Sequence, residues 1–132
     1  MKSLANFTLL LLLTARSANA QQEAGITQNK YEQIGQRETV AMAAQLNLSA
    51  AQVNSISLIN KEYYLKISNL NSQLLSVSDR GQQWQLIWNE RTARLNMNLS
   101  PLQYNQYFDA IEAKKRRTQQ RLDSLRAAHQ PH

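Results

Sequence analysis

Cysteine is absent from this 132-residue chain, which also has only three glycines and two histidines. Without thiols there is no disulfide to brace the fold, no thiol nucleophile and no thiolate metal site, so stability has to come from helix packing or from association between subunits. Gly25, Gly35 and Gly81 are too few for the turns of an all-β domain. The two histidines, His129 and His132, flank Pro131 with no carboxylate or thiolate close by to complete a metal site. They read as incidental, and no cofactor is expected. No Ser/His/Asp set, glycine-rich phosphate loop or metal-water motif can be assembled either. The nine acids are scattered, and pairs such as Glu62 with Lys66 or Glu112 with Arg116 have the i, i+4 spacing of surface helix pairs, worth about 0.2–0.5 kcal/mol each. The chain is therefore not expected to be an enzyme.

Long apolar runs are also scarce. The one that stands out, Leu9 to Leu13, follows Lys2 and precedes Ala18-Asn19-Ala20, the small-x-small pattern favoured by signal peptidase. Residues 1–20 are expected to be a cleavable export signal, with Gln21 as the mature N-terminus. The apolar stretch falls short of the ~20 residues of a spanning helix, and Arg16 interrupts its end, so no stable membrane insertion is expected after cleavage. Lys2 and Arg16 leave with the signal, and the remaining 112 residues carry 13 basic and 9 acidic side chains, a net charge of +4. That length supports one domain, residues 21–126, with a disordered tail at 127–132.

What is present points to helices. After an irregular start at 21–26, a helix is expected from Thr27 to about Gln45, its apolar face weakened by Gly35. Val53, Ile56, Asn60, Tyr63, Ile67, Leu70, Leu74 and Val77 alternate spacings of three and four, a heptad stripe on a helix of about seven turns. Asn60 is its one polar member, either a register-fixing residue in a helical interface or an ordinary, partly solvated Asn. Leu58, Ile59, Leu65 and Leu75 lie off the stripe and suggest a second contact surface. Residues 76–81, ending in Gly81, are expected to form the main break. A third helix follows from about Gln82 to Leu95, with Trp84, Ile87, Trp88, Arg91 and Leu95 on one face. The tryptophans fit the core most simply, and an exposed apolar binding surface is the alternative.

Two strings of the same form open the second and fourth helices: Leu48-Ser49-Ala50-Ala51-Gln52 and Leu99-Ser100-Pro101-Leu102-Gln103. In each, the serine is an expected N-cap and the glutamine at N3 reaches back to the cap, making a capping box. Leu48 and Leu99 can pack against Val53 and Tyr104 as hydrophobic staples, and Pro101 sits at N1, where its missing donor costs nothing. The fourth helix then turns basic at Lys114-Lys115-Arg116-Arg117, with Arg121 and Arg126 beyond. In a cytoplasmic protein this run would suggest nucleic-acid binding. The export signal argues against that, leaving a solvated helix end or a basic surface that attracts acidic proteins or anionic lipid.

The paired strings, placed after an export signal in a small cysteine-free helical chain, resemble the duplicated Leu-Thr-x-x-Gln motifs of the Spy/CpxP family of periplasmic proteins, with serine in both threonine positions. The resemblance covers about Gln45 to Arg117, and Pro101, Gln103, Tyr104 and Tyr107 look particularly like the family's second repeat. It implies a periplasmic, all-α fold of four helices in long antiparallel hairpins, forming a thin homodimer with an apolar and basic concave face. It also implies an ATP-independent chaperone that holds unfolded or partly folded envelope proteins. The alternatives are an accessory regulator of an envelope-stress sensor kinase, another dedicated partner protein or, least supported in a histidine-poor chain, a metal-responsive protein. On the chaperone reading, Lys114, Lys115, Arg116, Arg117 and Arg121 would speed encounter with clients, and apolar side chains such as Ile59 and Leu65 would hold them.

Overall fold

The computed structural model describes the backbone of residues 4–129 and the side chains of residue 23 and of residues 25–129. The leucine run and the Ala18-Asn19-Ala20 pattern lie outside the described side chains, and Pro131 and His132 lie outside the described residues altogether. The fold is all-α, with four helices: α1 (Leu4–Leu46), α2 (Ala50–Asn71), α3 (Val77–Asn98) and α4 (Pro101–Ala128). The irregular start expected at 21–26 is helical instead. Gly25 lowers helix propensity there without introducing a turn.

The first connection is the three residues 47–49. Asn47 takes a left-handed conformation (φ 51°) and the Leu48 N–H reaches the Ala43 carbonyl at 3.3 Å, a Schellman-type ending in which Asn replaces the usual glycine. The chain therefore reverses, and α1 and α2 run antiparallel, with Asn71 Nδ2 bonding the Tyr31 hydroxyl at 2.9 Å near one end and Asn60 Nδ2 meeting Thr39 Oγ1 at 3.0 Å further along. Gly35 allows this close approach. A Cβ there would lie 3.3 Å from both the Asn60 carbonyl oxygen and Tyr64 Cδ2, so the residue that lowers helix propensity contributes to packing.

The heptad stripe of α2 ends sooner than its periodicity suggests. Leu74 lies in the α2–α3 connection and Val77 is the first residue of α3, and both are fully exposed. Local polar bonds account for the break at 72–76. Ser72 Oγ donates to the Asn69 carbonyl at 2.7 Å, and Ser76 Oγ accepts from the Asp79 N–H at 3.0 Å as the cap of α3. Arg80 then ties down the end of α2, donating to the Leu70 and Gln73 carbonyls at 3.0 and 2.9 Å. Such side chains offer the backbone an alternative to continued helix. Gly81, expected in the turn, is inside α3, which starts earlier and ends later than the Gln82–Leu95 expectation.

Met42 and Leu46 from α1, Ile56 and Ile59 from α2, Leu95 and Leu99 from α3 and its end, and Tyr107 from α4 form the buried core. Leu48, Tyr104, Phe108 and Ile111 pack around it. This core lies toward the end of the molecule that carries the 47–49 and 99–100 turns. Beyond it α4 leaves the bundle: from Lys114 to His129 every residue is exposed.

Candidate functional site

The two capped turns meet. Ser49 Oγ accepts from the Gln52 N–H at 3.2 Å while Gln52 Oε1 accepts from the Ser49 N–H at 3.0 Å. Ser100 and Gln103 repeat this at 3.2 and 2.9 Å, with Pro101 at the start of the helix. Each glutamine also has a second role. The amides pair with each other, Gln52 Nε2 to Gln103 Oε1 at 2.7 Å and Gln103 Nε2 to Gln52 Oε1 at 3.2 Å. Gln52 Nε2 further donates to the Asn98 carbonyl at the end of α3 (3.1 Å), and Gln103 Nε2 to the Leu46 carbonyl at the end of α1 (3.2 Å). Each box thus opens its own helix and satisfies an orphan carbonyl closing the helix of the other hairpin.

One helical turn below the core lies a buried polar cluster drawn from all four helices. Asn60 is fully buried, and its Oδ1 accepts from Arg91 Nε and Nη2 at 3.1 and 2.8 Å. Its Nδ2 donates to Thr39 Oγ1, which donates on to the Gly35 carbonyl at 3.0 Å. Arg91 Nη1 donates to the Tyr107 hydroxyl at 2.8 Å, and that hydroxyl donates to Glu38 Oε1 at 3.2 Å. Glu38 is the countercharge, 3.4 Å from Arg91 Nη2. The guanidinium also lies 4.8 Å from the Tyr63 ring centroid and 5.7 Å from those of Trp88 and Tyr107, within cation–π range. Burial, opposed by Arg91 and aided by the charge of Glu38, pushes the Tyr107 hydroxyl up to about 12. The phenol is therefore protonated throughout the neutral range and available as the donor to Glu38.

Above this cluster a cleft of about 710 Å³ opens between α4 and the other three helices. Aromatic faces make its floor: Tyr63 and Tyr64 meet edge to face with centroids 4.9 Å apart, and Trp88 meets Tyr63 at 6.2 Å. Burial raises the Tyr64 hydroxyl to about 12, Glu38 adding to the effect and Arg91 opposing it. Tyr107 and Ile111 continue the wall along α4, and Lys114, Lys115 and Arg116 form the rim. Lys115 is held by Glu112 at 2.9 Å, and Arg126 lies 3.7 Å from Asp123. Among the described residues Lys114, Arg116, Arg117 and Arg121 have no ion-pair partner.

The basic run thus lies on the exposed arm, as its composition suggests, but the apolar candidates separate. Ile59 is 3 % exposed and belongs to the core, so it cannot hold a client. It sits one residue from the Val53–Tyr63 stripe on a helix packed between α1 and α3, which buries both faces. Leu65 is half-buried. The tryptophans are outside the core: Trp84 is 43 % exposed and stacks on Trp88 with centroids 5.7 Å apart and planes 8° from parallel. Asn60 is not solvated: it is buried in the interface of α2 with α1 and α3, bonded to Thr39 and Arg91. Arg91 and Glu38 escaped the sequence reading as a pair. The available signal was Arg91 on an otherwise apolar face, at the same depth as the one polar residue of the α2 stripe.

Among the described residues no group of three His, Asp or Glu side chains could hold a metal ion. No helix of the described structure is long and apolar enough to cross a membrane. Comparison with family profiles, with curated proteins and with solved structures finds no significant match.

Proposed function

We propose that the protein is an exported, periplasmic, ATP-independent holdase of the Spy/CpxP kind, acting as a homodimer. The observation that carries this reading is the arm of α4, which from Lys114 onward is exposed and bears four cations with no ion-pair partner among the described residues. Long-range positive charge of this kind raises encounter rates with acidic, unfolding chains. Exposed apolar side chains, Trp84 on α3 and Leu122 and Leu125 on the arm, then supply retention in place of Ile59. The two capped hairpins agree with the architecture that the sequence resemblance implies.

The test is aggregation suppression by the purified protein at equimolar ratio, at low and high salt. Suppression without ATP is expected, with capture slowing as salt rises because screening acts within ~8 Å at physiological ionic strength. Reversing the charge of Lys114 to Arg117 should slow capture of an acidic client at low salt while changing release little. If the unaltered protein leaves aggregation unchanged, the holdase reading falls and a dedicated partner, such as an envelope-stress sensor kinase, becomes the better assignment.

A further inference from the structure

We infer that the arm of α4 lies on anionic phospholipid membranes, with its axis in the plane of the interface and one face of the helix turned to the lipid. That face is Lys114, Arg117, Thr118, Arg121, Leu122 and Leu125, at the i, i+3, i+4, i+7, i+8, i+11 spacing of a single helical stripe. All six residues are exposed, and the lining of the cleft ends at Gln119, so Leu122 and Leu125 lie outside it. The stripe is divided along its length, with the three cations on one side and Thr118 and the leucines on the other. None of these cations has an ion-pair partner among the described residues. The acids of the arm stand elsewhere. At about 100° per residue, Glu112 and Asp123 are about 150–170° round the helix from the middle of the face, where they pair with Lys115 and Arg126. Arg116, on that far side, is the one unpaired cation of the basic run left out of the face.

Three features select a lipid surface as the occupant. First, the face joins an apolar half to a positive half, and a phospholipid interface offers both partners in one plane, acyl chains for the leucines and phosphates for cations that reach outward on long stems. Second, a partner helix would need more apolar positions. A coiled coil takes an apolar repeat sustained over about three to four heptads, and on the exposed arm only Leu122 and Leu125 continue the apolar seam. The arm of a second copy would also set cations against cations. Third, the charge is segregated around the helix. A polyanion with no apolar layer, such as an acidic unfolded segment, would use Arg116 as readily as Arg117 and leave the leucines in water. Two leucines bury little apolar surface, so attachment depends on negatively charged lipid.

The chain has no cysteine, so a single one introduced on the arm can carry an environment-sensitive dye that reports on the arm alone. The labelled full chain, as Ala128→Cys beside the face or Gln120→Cys on the opposite side, is titrated with vesicles of phosphatidylcholine, with and without about one-third phosphatidylglycerol. The dye at position 128 should move into an apolar environment and the dye at 120 should not. Binding should be at least about tenfold tighter with phosphatidylglycerol present. The Arg117→Gln, Arg121→Gln double variant should lose about that factor, and so should Leu122→Ser, Leu125→Ser. The Glu112→Gln, Asp123→Asn variant should change binding by less than about threefold, because those acids lie about one Debye length from the lipid. Unfolding midpoints check that each variant keeps its fold. The proposal is overturned by equal dye responses on the two sides, by no dependence on phosphatidylglycerol, or by unchanged affinity in either the arginine or the leucine variant. Binding of polyglutamate as tight as that of the anionic vesicles would also overturn it and give the arm to acidic polypeptides. The proposal does not rest on the holdase reading, and no aggregating client enters these titrations, so the two succeed or fail separately.

Discussion

The two halves of α4 are built on different principles. Its first half, Pro101 to Ile111, is capped by Ser100, joined to the first hairpin through Gln103 and buried at Tyr107. Its second half, from Glu112 on, is held by local terms alone. These are the Glu112–Lys115 and Asp123–Arg126 pairs, an amide bond from Gln119 to Asp123 at 2.8 Å and the Ser124 hydroxyl on the Gln120 carbonyl at 2.9 Å. Such contributions are worth a few tenths of a kcal/mol each, whereas helices in proteins are stabilised mainly by packing. One continuous helix therefore joins a firmly placed segment to one whose surface is left exposed.

That contrast can be tested by its energetics. The largest loss is expected for Asn60→Ala, which removes two bonds to the buried Arg91 guanidinium and one to Thr39. Leaving that charge short of partners should cost about 3 kcal/mol or more, read as a shift in urea-unfolding midpoint followed by circular dichroism. A cost below 1 kcal/mol would mean that water or a neighbour replaces Asn60.

Smaller losses are expected at the capped end. Ser49→Ala and Ser100→Ala should each cost about 0.5–2 kcal/mol. A double-mutant cycle on Gln52 and Gln103 should show coupling of about 0.5–3 kcal/mol, since the two amides bond directly. Additive effects would indicate that each turn is closed independently of the other.

The smallest effect should be on the arm, where Arg117→Ala and Arg121→Ala are expected to change stability by no more than about 0.5 kcal/mol. Amide protons beyond Lys114 should exchange far faster than those of residues 101–111. Strong protection of the arm would show that it is packed against something in solution, and would sharpen the case for a dimer.

Much of the local structure could be read before any coordinates. Both caps depend on residues three apart in sequence, and the basic run announced an exposed surface because no core could bury four consecutive charges. The readings that failed share a cause. Periodicity extends the α2 stripe past Asn71 because it is blind to Ser72 and Arg80 closing carbonyls at the turn and to Ser76 accepting the Asp79 N–H as the cap of α3. Ile59 looked like surplus surface because one helix's pattern does not reveal how many neighbours it has. Gly35 looked like a weakness because propensity is a local property, and its contact with Asn60 and Tyr64 is not.

The sequence by itself determined that this chain is helical, where α2 and α4 begin and where its positive charge is concentrated, all of which follow from interactions within about one helical turn. Tertiary structure alone decided that Gln52 and Gln103 join the two hairpins, that Asn60, Arg91, Tyr107 and Glu38 become one buried network, and that α4 departs to leave a cleft lined by aromatic rings and cations. The separation is physical. Capping and amphipathic periodicity act between near neighbours, whereas partners 16 to 69 positions apart come together only after packing has set the helices against one another, when burial makes each unpaired polar group costly.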